Sequence, residues 1–218
     1  MKRGTDFGGI HSYLDLNLIQ QKVEISPAEP KFNMVDIPGM DGSKDLTTQL
    51  TGRVHYKDRT ITWTFALYPG ENWDEKHRKV SGALNGRECK ITLDSDPDYY
   101  YFGRLAVRSY RLDGMLRQIV VEAICRPYAL KQEVTKLSVQ LPKSTVVRVP
   151  VKNDRMPTVP TFVASLPTSI RLGDILINVP AGTSSNLWFE FQEGDNILEV
   201  ATSAGDGSLV ITYQEGSL

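Results

Sequence analysis

The segment LDSDPDYYYFGRLAV, residues 93–107, gathers the residue types best suited to chemistry: Asp94, Asp96 and Asp98 at alternate positions, running into Tyr99, Tyr100, Tyr101, Phe102, Gly103 and Arg104. Alternate aspartates match the first ligand positions of a calcium-binding loop. Such a loop also needs a glycine for its sharp turn and a bidentate glutamate to close the site, and Tyr99 and Leu105 stand in those places. As carboxylates for hydrolysis they lack any identifiable partner across a cleft. The remaining reading is a turn capped by aspartate side chains.

Other groups capable of chemistry are isolated. His11, His55 and His77 have no second ligand at helical or strand spacing, so zinc is not expected. GMDGSK (Gly39 to Lys44) lacks the glycine spacing of a phosphate loop, and its serine precedes the lysine; a hairpin loop fits better. GDGSLV precedes a strand and lacks the third glycine of a dinucleotide fingerprint. No serine nucleophile elbow occurs. The expectation is a protein that is not an enzyme and holds no metal or cofactor.

The elements that carry these residues are mostly strands. RTITWTFALYPG, RECKITLDSD, SIRLGDILINVPAG and GSLVITYQEG alternate apolar and polar residues between Gly, Asp, Asn and Pro clusters. NWDEKHRKVSGALNG differs: Asn72 as N-cap, Glu75 three residues later, Trp73, His77, Val80 and Leu84 on one face, and an Asn85-Gly86 stop predict the one helix. Asp113-Gly114 between two alternating runs predicts a type I′ hairpin turn. Pro127 and a loss of alternation place a domain boundary near residue 130, giving domains 1–130 and 131–218. Beyond it, turn signals at short, regular spacing predict a β-sandwich.

With 218 residues, 25 Lys and Arg, 26 Asp and Glu and a net charge of −1, the chain has the composition of an ordinary folded protein and lacks the basic excess of a dedicated nucleic-acid binder. After Arg171 there is no Lys or Arg, while Asp174, Glu190, Glu193, Asp195, Glu199, Asp206 and Glu215 follow, so the C-terminal end reads as acidic. MKRGTDFGGI has no apolar stretch after its basic residues, and no run approaches a membrane span; neither secretion nor membrane insertion is expected. Cys89 and Cys125 both fall on apolar strand faces and read as buried free thiols. One face of the strand after Tyr99 reads Tyr100, Phe102, Arg104, Ala106, Arg108, Tyr110. That stripe suits base stacking or a subunit interface, and the charge balance favours the interface.

These elements in this order are similar to the distal tail proteins (Dit family) of long-tailed bacteriophages and prophages, chiefly those of Gram-positive hosts. The resemblance lies in VDIPGMDGSKDLT (Val35 to Thr47), RTITWTF, the helix running into NGRECKITLDSDPDYYYFGRLAV, CRPYAL, and the closing GDGSLVITYQEGSL. It spans nearly the whole chain, and Asp96 to Tyr101 with Gly103-Arg104 is its most specific part. It implies a mainly β protein with an N-terminal split β-barrel bearing one helix and a C-terminal galectin-like β-sandwich. It further implies a structural protein of the virion tail tip, made in the host cytoplasm. Six copies would form a ring through the N-terminal domain, joining the tail tube protein to the tail-associated lysin-like hub and leaving a channel through which genomic DNA only passes. Receptor-binding proteins are further expected partners. In this frame Tyr100, Phe102, Arg104 and Arg108 are candidate interface residues. The loop with Pro38, Gly39, Asp41, Gly42 and Lys44 is a candidate contact with a neighbouring subunit or the tube. The aspartates become a turn from Asp94 to Asp98, fixed by Pro97. An alternative is a carbohydrate-binding module, with Asn186 and Trp188 as its ligand site.

Overall fold

A computed structural model describes residues 4–113 and 116–218, with side chains from 109 to 117 outside the description. The chain divides into two compact units, Met1–Ala129 and Leu130–Leu218.

The first unit holds β1 (Thr5–Phe7), β2 (Ile19–Ile25), β3 (Met34–Asp36), β4 (Ser43–Asp45), β5 (Arg59–Ala66), α1 (Trp73–Leu84), β6 (Glu88–Leu93), β7 (Asp96–Asp113) and β8 (Leu116–Cys125). Six strands form one antiparallel sheet in the order β1-β6-β7-β8-β5-β2, and β3 pairs only with β4. Strict alternation in β5 sends Ile61, Trp63 and Phe65 into the core. The sheet curls until its far edges approach. Phe7 of β1 packs edge-on against Trp63 and Phe65 of β5, with ring centroids 5.1 and 6.4 Å apart. Among the described residues no ladder joins β1 to β2. The Thr5 hydroxyl instead donates to Gln20 Oε1 at 2.7 Å, and Leu18 N–H reaches Ser12 O at 2.9 Å. The barrel is split at this seam. Helix α1 lies where its N-cap places it, since Asn72 Oδ1 accepts the Asp74 and Glu75 amides, and it buries Trp73, Val80 and Leu84.

The second unit is a β-sandwich. After β9 (Ala129–Lys131), which crosses the boundary and pairs with β18, come β10 (Thr135–Leu141), β11 (Val147–Asn153), β12 (Thr161–Ala164), β13 (Thr168–Leu172), β14 (Ile175–Val179), β15 (Gly182–Ser185), β16 (Gly194–Ala201), β17 (Gly207–Tyr213) and β18 (Gly216–Ser217). One sheet runs β10-β17-β12-β15 and the other β11-β16-β13-β14. Their inner faces meet in a core where Phe162, Phe189, Phe191 and Tyr213 make successive edge-on contacts at 5.5, 6.2 and 5.2 Å. Tyr213 keeps its polar end satisfied by donating to Lys152 O at 2.6 Å.

The aspartate segment folds more tightly than its sequence implies. Leu93 pairs with Asp96, so the turn is only Asp94 and Ser95, and Asp96, Pro97 and Asp98 already belong to β7. The next pair is Ile91 with Tyr101, which sets Pro97, Asp98, Tyr99 and Tyr100 opposite the single residue Thr92. Pro97 therefore serves a bulge, where its missing N–H breaks no ladder, and does not fix the turn. The β7–β8 hairpin pairs through Asp113 and Leu116, while Gly114 of the expected type I′ turn lies outside the described residues.

One cross-strand row sets the register of this sheet. Cys89, Gly103 and Cys125 stand side by side on β6, β7 and β8. A Cβ at Gly103 would lie 2.5 Å from Ile124 O and 2.6 Å from Cys125 Sγ, so the thiol occupies room that only glycine leaves. The two cysteines are two strands apart, roughly 9.5 Å, which is beyond disulfide reach, and both are free. Burial first, then the neighbouring Cys89, pushes the Cys125 thiol up to about 12.

Two outcomes are expected. Gly103→Ala should destabilise the protein by about 3 kcal/mol, the upper end of overpacking costs, because backbone closes the space; a loss under about 0.5 kcal/mol by denaturant unfolding would contradict this packing. The raised thiol sets the pH dependence: an unfolded cysteine ionises near pH 8.5. The stabilisation from keeping Cys125 neutral is therefore complete below that pH and is lost as pH climbs toward about 12. Denaturant midpoints should fall across that window and fall less in Cys125→Ala.

Candidate interaction surfaces

Alternation along β7 splits its aromatic residues between two faces. Tyr101 is buried, and Tyr99 packs partly against the same core. Tyr100 and Phe102 lie half-buried on the outer face, with Arg104 and Arg108 exposed beside them. Their electrostatics are settled within the chain. Arg104 donates to Gly86 O at 2.8 Å and Glu88 Oε2 at 3.3 Å, and Arg108 donates to Glu122 Oε1 at 2.8 Å. Lys90 Nζ sits 4.1 Å over the Tyr100 ring, and the Arg126 guanidinium 5.1 Å over Phe102. The pairing register adds Thr60, Thr62 and Thr64 to the same face. These threonines and the acidic partners were not singled out in the sequence, since cross-strand neighbours become visible only once the register is known. The side chain of Tyr110 lies outside the described residues.

The loop containing Pro38, Gly39, Asp41, Gly42 and Lys44 is the end of an arm. Lys31 N–H donates to His55 O and Lys57 N–H to Glu29 O, which ties the base; β3 and β4 then run outward and back. Every residue from 31 to 45 is exposed, including Phe32, Met34, Val35, Ile37 and Met40. Gly39 and Gly42 adopt φ of +82° and +75° at the tip, conformations that favour glycine. Below the tip, the Thr47 hydroxyl and then its N–H hold the Asp45 carboxyl beneath its ordinary range. The arm buries no core of its own.

Asp94 has a structural task. Its Oδ2 accepts the Gly4 N–H at 2.8 Å and its Oδ1 lies 3.2 Å from His11 Nε2. His11 Nδ1 accepts the Tyr13 and Leu14 amides at 3.2 Å each, so the neutral ring donates through Nε2. The turn thereby pins the strand that closes the barrel seam. Among the described residues no group of His, Cys, Asp or Glu could hold a metal.

In the second unit three of the acidic residues after Arg171 pair with cations that precede them in sequence. Glu199 accepts from Arg148 at 3.1 Å, Glu215 pairs with Lys131 at 3.1 Å, and Glu193 pairs with Arg155. Asp206 accepts the Lys143 amide at 2.8 Å. The expectation of an uncompensated acidic surface is therefore corrected: antiparallel pairing brings residues 131–155 beside 193–215. Trp188 is not core. It is 86% exposed next to Leu187 at 81%, in a turn where Asn186 Oδ1 accepts the Trp188 amide at 2.9 Å. A depression of about 660 Å³ lies elsewhere, lined by Ser144, Thr168, Ser169, Asn178 and Thr202 among others; its lining includes neither Asn186 nor Trp188.

A split, curled sheet with one helix among the described residues, followed by a β-sandwich, makes a mainly β fold. It is the fold of the solved SPP1 Dit (gp 19.1) protein, described as a paradigm of the hub adsorption apparatus in phages infecting Gram-positive bacteria. That structure matches with a TM-score of 0.67 over 97% of this chain and 98% of its own, at 14% sequence identity. A de novo designed double-stranded β-helix covers 37% of this chain and 99% of its own at 13% identity, with a TM-score of 0.29 that is too low to bear on the fold. No family model matches the sequence, and no curated protein matches it.

Proposed function

We propose that this protein is a structural component of a phage tail tip, a distal tail protein of the hub that joins tail tube to adsorption apparatus. The observation that carries the reading is the end-to-end likeness to SPP1 Dit, which includes both units in the same order. The likeness is one of fold, and the surfaces supply the rest of the argument. The first unit offers a sheet face with two half-buried aromatic rings and an apolar arm that buries nothing at home. Surfaces of that kind suit repeated heterologous contacts that close by rotation into a ring.

In this reading the first unit forms a homo-hexameric ring through Tyr100, Phe102, Arg104 and Arg108. The arm, with Pro38 to Lys44, reaches the neighbouring subunit or the tube protein. The ring joins the tube to the hub, carries receptor-binding proteins indirectly and leaves a channel for DNA. The work is assembly and not catalysis. Trp188 favours a second reading, a carbohydrate-binding role for the sandwich, because an exposed indole face can pack on a sugar ring. Glycan-array binding that disappears in Trp188→Ala would establish it.

Electron microscopy of purified tails should find the protein at the tip with six-fold symmetry. Its absence there, or three-fold order, would refute the ring. Arg104→Glu should fold, because the side chain is 61% exposed and an exposed pair contributes about 1 kcal/mol or less. The reversed charge faces Glu88 and should stop ring formation. Normal rings, or an unfolded variant, would remove Arg104 from the interface.

A further inference from the structure

The two flanks of the sandwich in the second unit are guarded differently. Its sheets end in β10 and β11 on one flank and in β15 and β14 on the other. An edge strand presents unpaired amides and carbonyls, and proteins usually blunt it with Lys, Arg, Pro or a bulge. The first flank follows that rule, with Lys136 on β10 and Arg148, Pro150 and Lys152 on β11. The second does not. β14 is ILINV and β15 is GTSS, without charge or proline, and their ladders to β13 and β12 run without a register shift. Only Pro180 and Ala181 link them, too short a span to leave the flank.

Apolar side chains stand out beside this edge. Ile175 and Leu176 of β14 are 43% and 54% exposed, and Leu187 and Trp188 follow directly after β15. That last pair is held outward by structure. Asn186 closes the turn by accepting the Trp188 amide, Phe189 N–H reaches Asn186 O at 3.0 Å, and Phe189 and Phe191 behind it are fully buried. Leaving two such side chains in water forgoes apolar burial that a partner would return.

We propose that this flank is a docking site for an extended strand of another protein, which adds to the free edge of β15 and rests an apolar side chain on Trp188. Free edge amides and carbonyls call for an extended backbone, the complement that strand addition supplies. A glycan would leave them unpaired in sequence. A second copy docked through the same flank is a poor occupant, since it would bring Asp174 against Asp174 with no cation to balance them. From Leu172 to Phe189 the only charged residue is Asp174, so a basic residue in the incoming segment is favoured. The proposal does not rest on the tail-tip reading, and either can fail alone.

The test is photo-crosslinking of the full chain in cells that make it naturally. A benzophenone amino acid is placed at Thr183, at Leu187 or, as the guarded-flank control, at Lys136. The expected result is that Thr183 and Leu187 both capture one continuous segment of one other protein, with no such product from Lys136. Thr183→Lys should lower the Leu187 yield, and Trp188→Ala the Thr183 yield, by roughly tenfold. Both replace exposed side chains, and unchanged thermal unfolding will show that the fold is intact. No product, products equal to the Lys136 control, yields insensitive to the two variants, or capture of a second copy would each overturn the proposal.

Discussion

The first unit depends on the register of β7, and that register is held by the row Cys89, Gly103, Cys125. Side chains alternate strictly across a sheet, so a slip of one residue would turn Tyr100 and Phe102 into the core and expel Tyr101 and Leu105. The glycine admits the Cys125 sulfur where any larger residue would meet backbone. With the row in place, core and outer face are fixed together. The pin at Asp94, which holds Gly4 and His11, then keeps β1 at the barrel seam where Phe7 completes the core.

Several charges are paired locally in both units. Arg104 and Arg108 find Glu88 and Glu122 across neighbouring strands, and the acidic end of the chain finds Arg148, Arg155 and Lys131. A surface balanced in this way steers partners weakly over distance. The apolar groups that solvent still reaches include the half-buried rings of β7, the arm, and the Leu187-Trp188 turn.

The sequence was legible where a signal is local. Asn72, Glu75 and Asn85-Gly86 marked the helix because capping is decided within a few residues. Alternation in RTITWTF gave both face and core of β5. The aspartate turn was misjudged in extent because a bulge depends on the partner strand, and Thr92 does not declare how many residues it will face. The acidic end misled for a similar reason: its cations lie some 50 residues or more earlier for Glu199 and Glu215, and only strand pairing joins them. Trp188 directly precedes residues that alternate into the core at Phe189 and Phe191, and the Asn186 turn sets it apart. Near-full-length likeness in fold at 14% identity fits this division, since cores and turns keep a fold while surface pairs drift.

We propose that the outer face of β7 and the arm are covered by other subunits in the assembled tail. Hydroxyl-radical footprinting, read residue by residue on Met34, Met40, Tyr100 and Phe102, tests it most directly when the purified monomer is compared with intact tails. All are accessible in the single chain, Met34 and Met40 about half exposed at 53% and 49% and the two rings less so. Strong protection of all of them in tails, with surface residues such as Lys57 unchanged, is the expected result. Equal oxidation of Met40 and Phe102 in monomer and tail would contradict it.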